Sequence, residues 1–141
     1  MNILILRSLV LGGIVFLSAC SVLSPKAEYI PDNENLKPAT VGVSYFFKIK
    51  ILGGAVIGDS ERRIGFVSPD KTGIFLRNCP MEEWRITPKT RDPFDYNCVE
   101  IYGTPVKPGV IKIIIGGGMY GSMIAPASAF SKEYTLNVVK P

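Results

Sequence analysis

Apolar and polar residues alternate along several stretches of the chain, which is the pattern of half-buried β-strands. The clearest stretch is residues 43–52, where large apolar side chains occupy every second position and lysines lie between them. This period of two places the apolar side chains on one face of a strand. The apolar face comprises Tyr45, Phe47, Ile49 and Ile51, and the opposite face carries Lys48 and Lys50.

Further strands are predicted where short apolar runs lie between turn-forming Gly and Pro residues. They cover residues 64–67, 73–77, 83–87, 98–102, 110–115 and 133–139. Residues 87–97 contain two prolines and little periodicity, so they are predicted to form a surface loop. After residue 20 no helical period continues for more than two turns, and the chain is therefore predicted to be all-β, as a sandwich or a small barrel.

The N-terminal residues 1–19 have a different pattern and are predicted to be a signal peptide. Arg7 and the terminal amine form a positive start, and residues 8–19 are uncharged and rich in Leu, Val and Ile. About a dozen uncharged residues are too few to span a bilayer, since roughly 20 are needed.

The signal peptide ends with Leu17-Ser18-Ala19-Cys20, which resembles the lipobox of bacterial lipoproteins in every position. The resemblance implies cleavage before Cys20 and acylation of Cys20, whose several acyl chains would anchor the protein stably in a membrane. Because Ser21 rather than Asp follows the cysteine, it also implies the outer membrane, facing the periplasm, with the cell surface as an alternative. The other alternative is an ordinary secretory signal in which Cys20 stays a free thiol.

Residues 20–35 are polar, contain two prolines and lack apolar periodicity, which predicts a flexible tether after the lipidated cysteine. This tether is expected to hold the domain away from the lipid surface. The folded domain is predicted to occupy residues 36–141.

Cys79 and Cys98 remain once Cys20 is assigned to lipid, and an exported protein meets an oxidising compartment. A disulfide between them is predicted, closing a loop of about 20 residues and stabilising the fold by roughly 3 kcal/mol. A redox or metal pair is the alternative, but the two cysteines lack C-x-x-C spacing and the chain has no His for a zinc site.

Two phrases near the ends of the domain resemble those of bacterial immunoglobulin-like (cadherin-like) domains. The first is KPATVGVSY at residues 37–45, and the second is IYGTPVKPGVIKI at residues 101–113, followed by YTLNV at residues 134–138. The resemblance implies an immunoglobulin-like β-sandwich that serves as a binding, adhesive or spacer module. Residues 59–97 do not share it and are predicted to be an insert. The alternative is an unrelated β fold in which Gly-Thr-Pro is an ordinary turn.

The composition argues against several other functions. The chain has no His, so the usual base near neutral pH is missing, and no enzyme activity, cofactor or metal site is predicted. The net charge of +4 comes from scattered Lys and Arg, which predicts no nucleic-acid partner. Gly116, Gly118 and Gly121 match G-x-G-x-x-G, but no helix is predicted after them, so the match is interpreted as a loop between strands.

Two apolar sites are candidate contacts with a partner. Trp84 is either an exposed aromatic contact or a half-buried side chain under the insert, and the second interpretation is favoured. Met119 and Tyr120 lie in the Gly-rich stretch, which either packs over one end of the sandwich or forms an adaptable contact surface.

Together these patterns predict a lipid-anchored periplasmic lipoprotein with a non-enzymatic binding or structural role and a protein partner in the envelope. One alternative is an immunity or inhibitor lipoprotein that neutralises a periplasmic toxin or lytic enzyme. Another is an accessory component of a secretion or conjugation apparatus. A toxin-like reading frame beside the gene would favour the first alternative, and a run of envelope-assembly genes would favour the second.

Overall fold

The computed structural model describes residues 23–59 and 61–141. The predicted signal peptide at residues 1–19 and the predicted lipidation site Cys20 lie outside the described residues. Within the part of the chain that is described, no helix is long and apolar enough to cross a membrane.

Eight β-strands and one short 3-10 turn occur in these two described ranges. The strands are β1 (Glu28–Ile30), β2 (Ala39–Thr40), β3 (Tyr45–Leu52), β4 (Gly65–Ser68), β5 (Ile74–Pro80), β6 (Phe94–Gly103), β7 (Gly109–Met119) and β8 (Ser128–Val139). The 3-10 turn, Glu83–Arg85, lies between β5 and β6.

The strands form two four-stranded sheets that enclose a common core. Sheet 1 has the order β1-β3-β6-β5, and sheet 2 has the order β2-β8-β7-β4. Neighbouring strands are antiparallel except for β2, which runs parallel to β8. With β1 and β2 as two halves of a first strand that changes sheet, this is the strand order of an immunoglobulin-like sandwich. The predicted all-β, immunoglobulin-like fold class is confirmed.

The core lies between the inward faces of the two sheets, where alternate residues of the long strands meet. Its fully buried members include Ile49, Ile51, Val99 and Ile101 from sheet 1 and Ile113, Ile115, Tyr134 and Leu136 from sheet 2. The alternation predicted for residues 43–52 is confirmed, since the lysines of β3 are exposed. Burying a side chain of this size contributes roughly 1.5–3 kcal/mol.

Two glycines allow β5 and β6 to approach closely at one end of sheet 1. Gly73 and Gly103 have φ angles of +87° and +122°, a region that favours glycine. A Cβ on Gly103 would overlap the carbonyl oxygen of Gly73. Gly103 is the first residue of the Gly-Thr-Pro phrase, and Pro105 is the last. Pro105 is fully buried, and its carbonyl accepts a hydrogen bond from the backbone N–H of Gly42 (3.0 Å).

The folded domain begins earlier than predicted. Strand β1 pairs with β3 inside the range predicted as a tether. The hydroxyl of Tyr134 donates a hydrogen bond to the carbonyl of Pro31 (2.7 Å), and the ammonium of Lys132 donates one to the carbonyl of Asp32 (2.7 Å). Residues 28–35 therefore belong to the sandwich. The sequence did not reveal this because a strand of three residues is too short to show a period of two.

Residues 59–97 are not an insert, because they hold β4, β5 and the start of β6, which complete both sheets. The strands predicted at 64–67 and 73–77 are confirmed within a few residues. The strand predicted at 83–87 is wrong, since residues 83–85 form the 3-10 turn and residues 86–87 belong to no strand. The loop predicted at 87–97 ends where β6 begins, at Phe94.

Strand β7 continues through Gly116, Gly117 and Gly118, beyond its predicted end at residue 115. These glycines pair with β8 as far as Met119 opposite Ser128. Glycine alone is unfavourable in a strand, and the pairing with the long β8 compensates for it. The interpretation of this glycine run as a loop is therefore wrong, and the loop begins only at Tyr120.

Candidate functional site

The predicted disulfide between Cys79 and Cys98 is confirmed. It joins the neighbouring strands β5 and β6 across a Cα–Cα distance of 5.3 Å, and both cysteines are buried. The bond lies beside a register shift between Asn78 and Cys79, where the pairing of the two strands changes. It therefore fixes these two strands to each other at the point where their ladder is irregular.

An aromatic row crosses the outer face of sheet 1. Tyr102 of β6 lies between Phe46 of β3 and Phe75 of β5, because both phenylalanines are register partners of Tyr102. The Phe75 and Tyr102 ring centroids are 5.8 Å apart. Phe46 and Phe75 remain 54% and 56% exposed, respectively. Two large apolar side chains thus face solvent on a rigid sheet, which is typical of a contact surface.

A charged row lies beside the aromatic row on the same face. Glu100 of β6 is the register partner of both Lys48 and Arg77 and is only 3% exposed. Arg77 Nε donates a hydrogen bond to Glu100 Oε2 (2.7 Å), and Lys48 Nζ lies 4.0 Å from Glu100 Oε1. The hydrogen bond to Glu100 raises the pKa of Arg77 above its ordinary value. The carboxylate thereby orients the guanidinium, which also lies 4.0 Å from the ring centroid of Tyr102.

These two rows form a continuous surface that we call the aromatic-basic face. Its members are Phe46, Tyr102, Phe75, Lys48, Arg77 and Glu100. Central side chains fix one another in place, while the two phenylalanines and the two cations remain accessible. Such an arrangement is pre-ordered, so little further side-chain entropy would be lost if this surface entered an interface.

The aromatic-basic face continues into a groove between β4 and β5, which are edge strands of opposite sheets. The groove has a volume of about 500 Å³, and Phe66, Phe75 and Tyr102 contribute aromatic side chains to its lining. Its charged lining residues are Arg62, Arg63, Lys71, Arg77 and a single acid, Asp70. The groove is therefore basic.

Two of the groove cations are free to pair with an acidic ligand. Arg62 pairs with Asp59 (3.3 Å), and Arg77 pairs with Glu100. The pKa of Asp59 lies below its ordinary value, chiefly because its carboxylate accepts a hydrogen bond from the backbone N–H of Glu61. The backbone N–H of Arg62 donates a second hydrogen bond to it. Within residues 23–59 and 61–141, Arg63 and Lys71 make no salt bridge. In the same ranges, no group of three Cys, Asp or Glu side chains is placed to hold a metal ion.

The residues predicted as partner contacts differ in their exposure. Trp84 is 81% exposed on the 3-10 turn, so the favoured interpretation of a half-buried side chain is wrong. Met119 is fully buried at the end of β7 and packs in the core, so the packing interpretation holds for this residue and its prediction as a possible contact is wrong. Tyr120, the next residue, is more than half exposed. The structure does not bring Trp84 and Tyr120 into the aromatic-basic face.

Sequence reasoning missed the aromatic-basic face, although a signal for it was present. Phe46 lies on the lysine face of β3, out of phase with the apolar residues that build the core. Phe75 likewise alternates with the inward-facing Ile74 and Leu76. An apolar residue on the polar face of a predicted strand indicates either a contact surface or an edge, but without the strand order the two phenylalanines cannot be placed beside each other.

No family model, curated protein or solved structure matches this chain. The likeness to immunoglobulin-like domains therefore rests on the order of the strands and on the two sequence phrases alone.

Proposed function

We propose that the protein is a lipid-anchored lipoprotein of the bacterial outer membrane that faces the periplasm and acts as a non-enzymatic binding module. Its binding site is the aromatic-basic face together with the adjoining groove. The single observation that carries the proposal is the pair of exposed phenylalanines, Phe46 and Phe75, held on either side of Tyr102 beside an oriented Arg77.

This combination of side chains favours a protein partner. Aromatic residues and Arg dominate the binding energy of protein interfaces, where they occupy the centre and lose their contact with water. On the aromatic-basic face Arg77 is stacked on Tyr102, so its guanidinium can accompany the rings into an interface. Glu100 already neutralises Arg77, which lowers the cost of removing that cation from water.

The charges around the groove favour an acidic segment of the partner. Arg63 and Lys71 would attract carboxylates, and such complementarity raises association rates and excludes basic partners. The groove is bordered by the open edges of β4 and β5, which can pair with an extended segment of another chain. We therefore expect the partner to contribute an extended, acidic stretch with apolar side chains at alternate positions.

The lipid anchor and the location rest on the lipobox that ends with Cys20 and on Ser21. Replacing Cys20 with Ala tests this part of the proposal by fractionation of the envelope. The variant is expected to leave the outer-membrane fraction, while wild-type protein remains in it. A variant that is processed and still found in the outer membrane would contradict the lipid anchor.

Cross-linking in living cells tests the binding site. A photoreactive phenylalanine analogue at Phe75 is expected to trap a discrete partner, because it keeps an aromatic ring in the proposed site. The matched control carries the analogue at Asn137, an exposed residue on the outer face of sheet 2. Equal cross-linking from both positions, or none from Phe75, would contradict the proposal. The identity of the trapped protein distinguishes an immunity or inhibitor role from a place in an envelope apparatus.

A further inference from the structure

The N-terminal segment and three loops meet at one end of the sandwich. Met119, the last residue of β7, pairs with Ser128 of β8 and also bridges to Val56 in the β3–β4 connection. The side-chain amide of Asn97, near the start of β6, donates hydrogen bonds to the carbonyls of Ile51 (2.9 Å) and Gly54 (2.7 Å). The β3–β4, β5–β6 and β7–β8 connections therefore emerge at the same end.

The β7–β8 connection, residues 120–127, has an unusual surface for a loop. No charged residue occurs between Lys112 and Lys132. At the tip of the loop Met123 is fully exposed and Ile124 is 71% exposed, while Tyr120 is more than half exposed at its base. Exposed apolar residues that adjoin one another, with no charge among them, indicate a surface that is covered in the functional state.

Backbone hydrogen bonds connect the base of this loop to the β3–β4 connection and close its turn. The N–H of Tyr120 donates to the carbonyl of Ala55 (2.9 Å), and the N–H of Ser122 donates to the carbonyl of Ala125 (2.8 Å). Ala125 itself is buried. The turn between Ser122 and Ala125 thus places Met123 and Ile124 at the tip, where they do not pack on the sandwich.

The N-terminal segment passes the base of the same loop. The hydroxyl of Ser128, where β8 begins, donates a hydrogen bond to the carbonyl of Pro25. Pro25 lies five positions after Cys20, and a fully extended chain covers at most about 18 Å over that length. The lipidated residue of the proposed lipoprotein is thus confined to the end of the sandwich that carries Met123 and Ile124.

We infer that the β7–β8 loop is a second membrane contact, which inserts Met123 and Ile124 into the lipid–water interface beside the acyl chains of Cys20. The inference rests on the proposed lipid anchor and adds an orientation to it. The sandwich stands on this end, and the β6–β7 connection points away from the membrane. The residues between Cys20 and β1 are too few to hold the domain far from the lipid surface.

The side chains of this loop suit the membrane interface. Tyr is enriched at the level of the lipid headgroups, and apolar residues of surface-bound segments reach about 5–10 Å into the boundary of the acyl chains. The absence of charge matters because desolvating a charged group at this depth is costly. Trp84 lies in another connection at the same end, but Glu82 and Glu83 precede it, so it fits the interface less well than Met123 and Ile124 do.

The test uses full-length, lipidated protein in vesicles of phosphatidylethanolamine and phosphatidylglycerol. Met123→Cys carries an environment-sensitive fluorophore, and nitroxide groups on the acyl chains quench any fluorophore that enters the membrane. The matched control is Val106→Cys, because Val106 is also an exposed apolar residue but lies in the β6–β7 connection. Flotation of the vesicles reports anchoring independently of the fluorophore.

The expected result is that both variants float with the vesicles, while quenching and a shift of emission to shorter wavelength occur at position 123 and not at position 106. Adding Ile124→Asp to the labelled variant is expected to abolish the quenching without releasing the protein. Floating protein whose fluorophore at position 123 behaves like that at position 106 would overturn the loop contact and leave the anchor intact. Protein that does not float would overturn the anchor, and the loop contact with it.

Discussion

The outer faces of the two sheets carry different sets of side chains, whereas their inner faces are alike. Both inner faces consist of alternating apolar residues, such as Ile101 in sheet 1 and Ile113 in sheet 2. The outer face of sheet 1 carries exposed aromatic rings and a buried carboxylate between two cations. The outer face of sheet 2 also has exposed apolar side chains, namely Phe66 at its β4 edge, Val110 and Val139, but it has no buried carboxylate among the described residues. There the ammonium of Lys112 donates to the hydroxyl of Thr135 (2.8 Å). The comparison separates two roles, since the inner residues build the core and the outer face of sheet 1 is the proposed binding surface.

The largest effect is expected in the core, where the two sheets should respond alike. Ile101→Ala and Ile113→Ala each remove a fully buried side chain and should lower the free energy of unfolding by about 2–5 kcal/mol. Chemical denaturation measures both. The control is Ile114→Ala, which truncates the neighbouring, only partly buried residue of β7 and should cost about 1 kcal/mol or less. A cost at Ile114 as large as at Ile113 would contradict the assignment of inner and outer faces.

The disulfide distinguishes the two sheets, because it lies in sheet 1 alone. Replacing both Cys79 and Cys98 with Ala should lower the free energy of unfolding by about 3 kcal/mol, since the unfolded chain gains freedom over the 19-residue separation. Denaturation of the wild-type protein in the presence of a reductant is the control and should give a similar loss. Unchanged stability in both measurements would show that the bond does not constrain the fold.

High pH should weaken both inner faces through one tyrosine in each sheet. Burial raises the pKa of Tyr45 to about 12. The pKa of Tyr134 is also raised to about 12, mainly by burial and to a smaller extent by the nearby Tyr29 and Asp32. The unfolded chain ionises these groups near pH 10, so the stability they contribute is present below pH 10 and is lost as the pH rises towards 12. Solvent near these partly accessible hydroxyls screens the effect, so the loss is expected to be on the order of 1 kcal/mol per tyrosine.

The double variant Tyr45→Phe, Tyr134→Phe separates this contribution from other alkaline effects. Each hydroxyl donates to a carbonyl of the N-terminal part of the domain, at Lys37 (2.8 Å) and at Pro31 (2.7 Å). The variant is expected to be less stable at neutral pH, by about 1 kcal/mol per lost hydrogen bond, and to depend less on pH above 10. Denaturation midpoints from pH 8 to pH 12 measure both effects. A variant with the pH dependence of wild type would contradict the role of these tyrosines.

Substitutions in the charged row of sheet 1 are expected to lower stability by a smaller amount, and loss of the cation should cost more than loss of the carboxylate. Arg77→Met removes the hydrogen-bonded partner of the buried Glu100 carboxylate and leaves only Lys48, whose ammonium is 4.0 Å away. Glu100→Gln instead leaves two half-exposed cations, which water can solvate. The first variant should therefore be the less stable of the two. Thermal unfolding of both variants and of the double variant measures the difference. Equal destabilisation, or a more stable Arg77→Met, would show that Glu100 does not depend on Arg77.

The sequence predicted the long strands and the disulfide because each has a local signal. The alternation in residues 43–52 and the even pair Cys79 and Cys98 are examples. It did not predict β1, since that strand is defined by its pairing with β3 and not by its own three residues. The glycine run of β7 was likewise assigned to a loop, because only its pairing with β8 makes it a strand.

The candidate site was less predictable than the fold because it depends on which strands are neighbours. Phe46, Phe75 and Glu100 are far apart in the sequence, and each has an ordinary interpretation alone. Only the order β3-β6-β5 brings them into adjacent rows. Met119 and Tyr120 show the same limit, since one residue step separates a buried side chain from an exposed one at the end of a strand.

The comparison of the two outer faces is tested most directly by a pull-down on the full-length protein. It measures how much of the protein trapped from position 75 stays bound to each variant without cross-linking. Phe46→Ser with Phe75→Ser changes the aromatic-basic face, and Val110→Ser with Val139→Ser makes a matched change on sheet 2, where both valines are also about half exposed. We expect the phenylalanine variant to lose at least tenfold in partner retention, with stability changed by no more than about 1 kcal/mol. The valine variant should retain the partner as wild type does. Loss in the valine variant alone, or equal retention by both variants, would contradict a binding site on sheet 1.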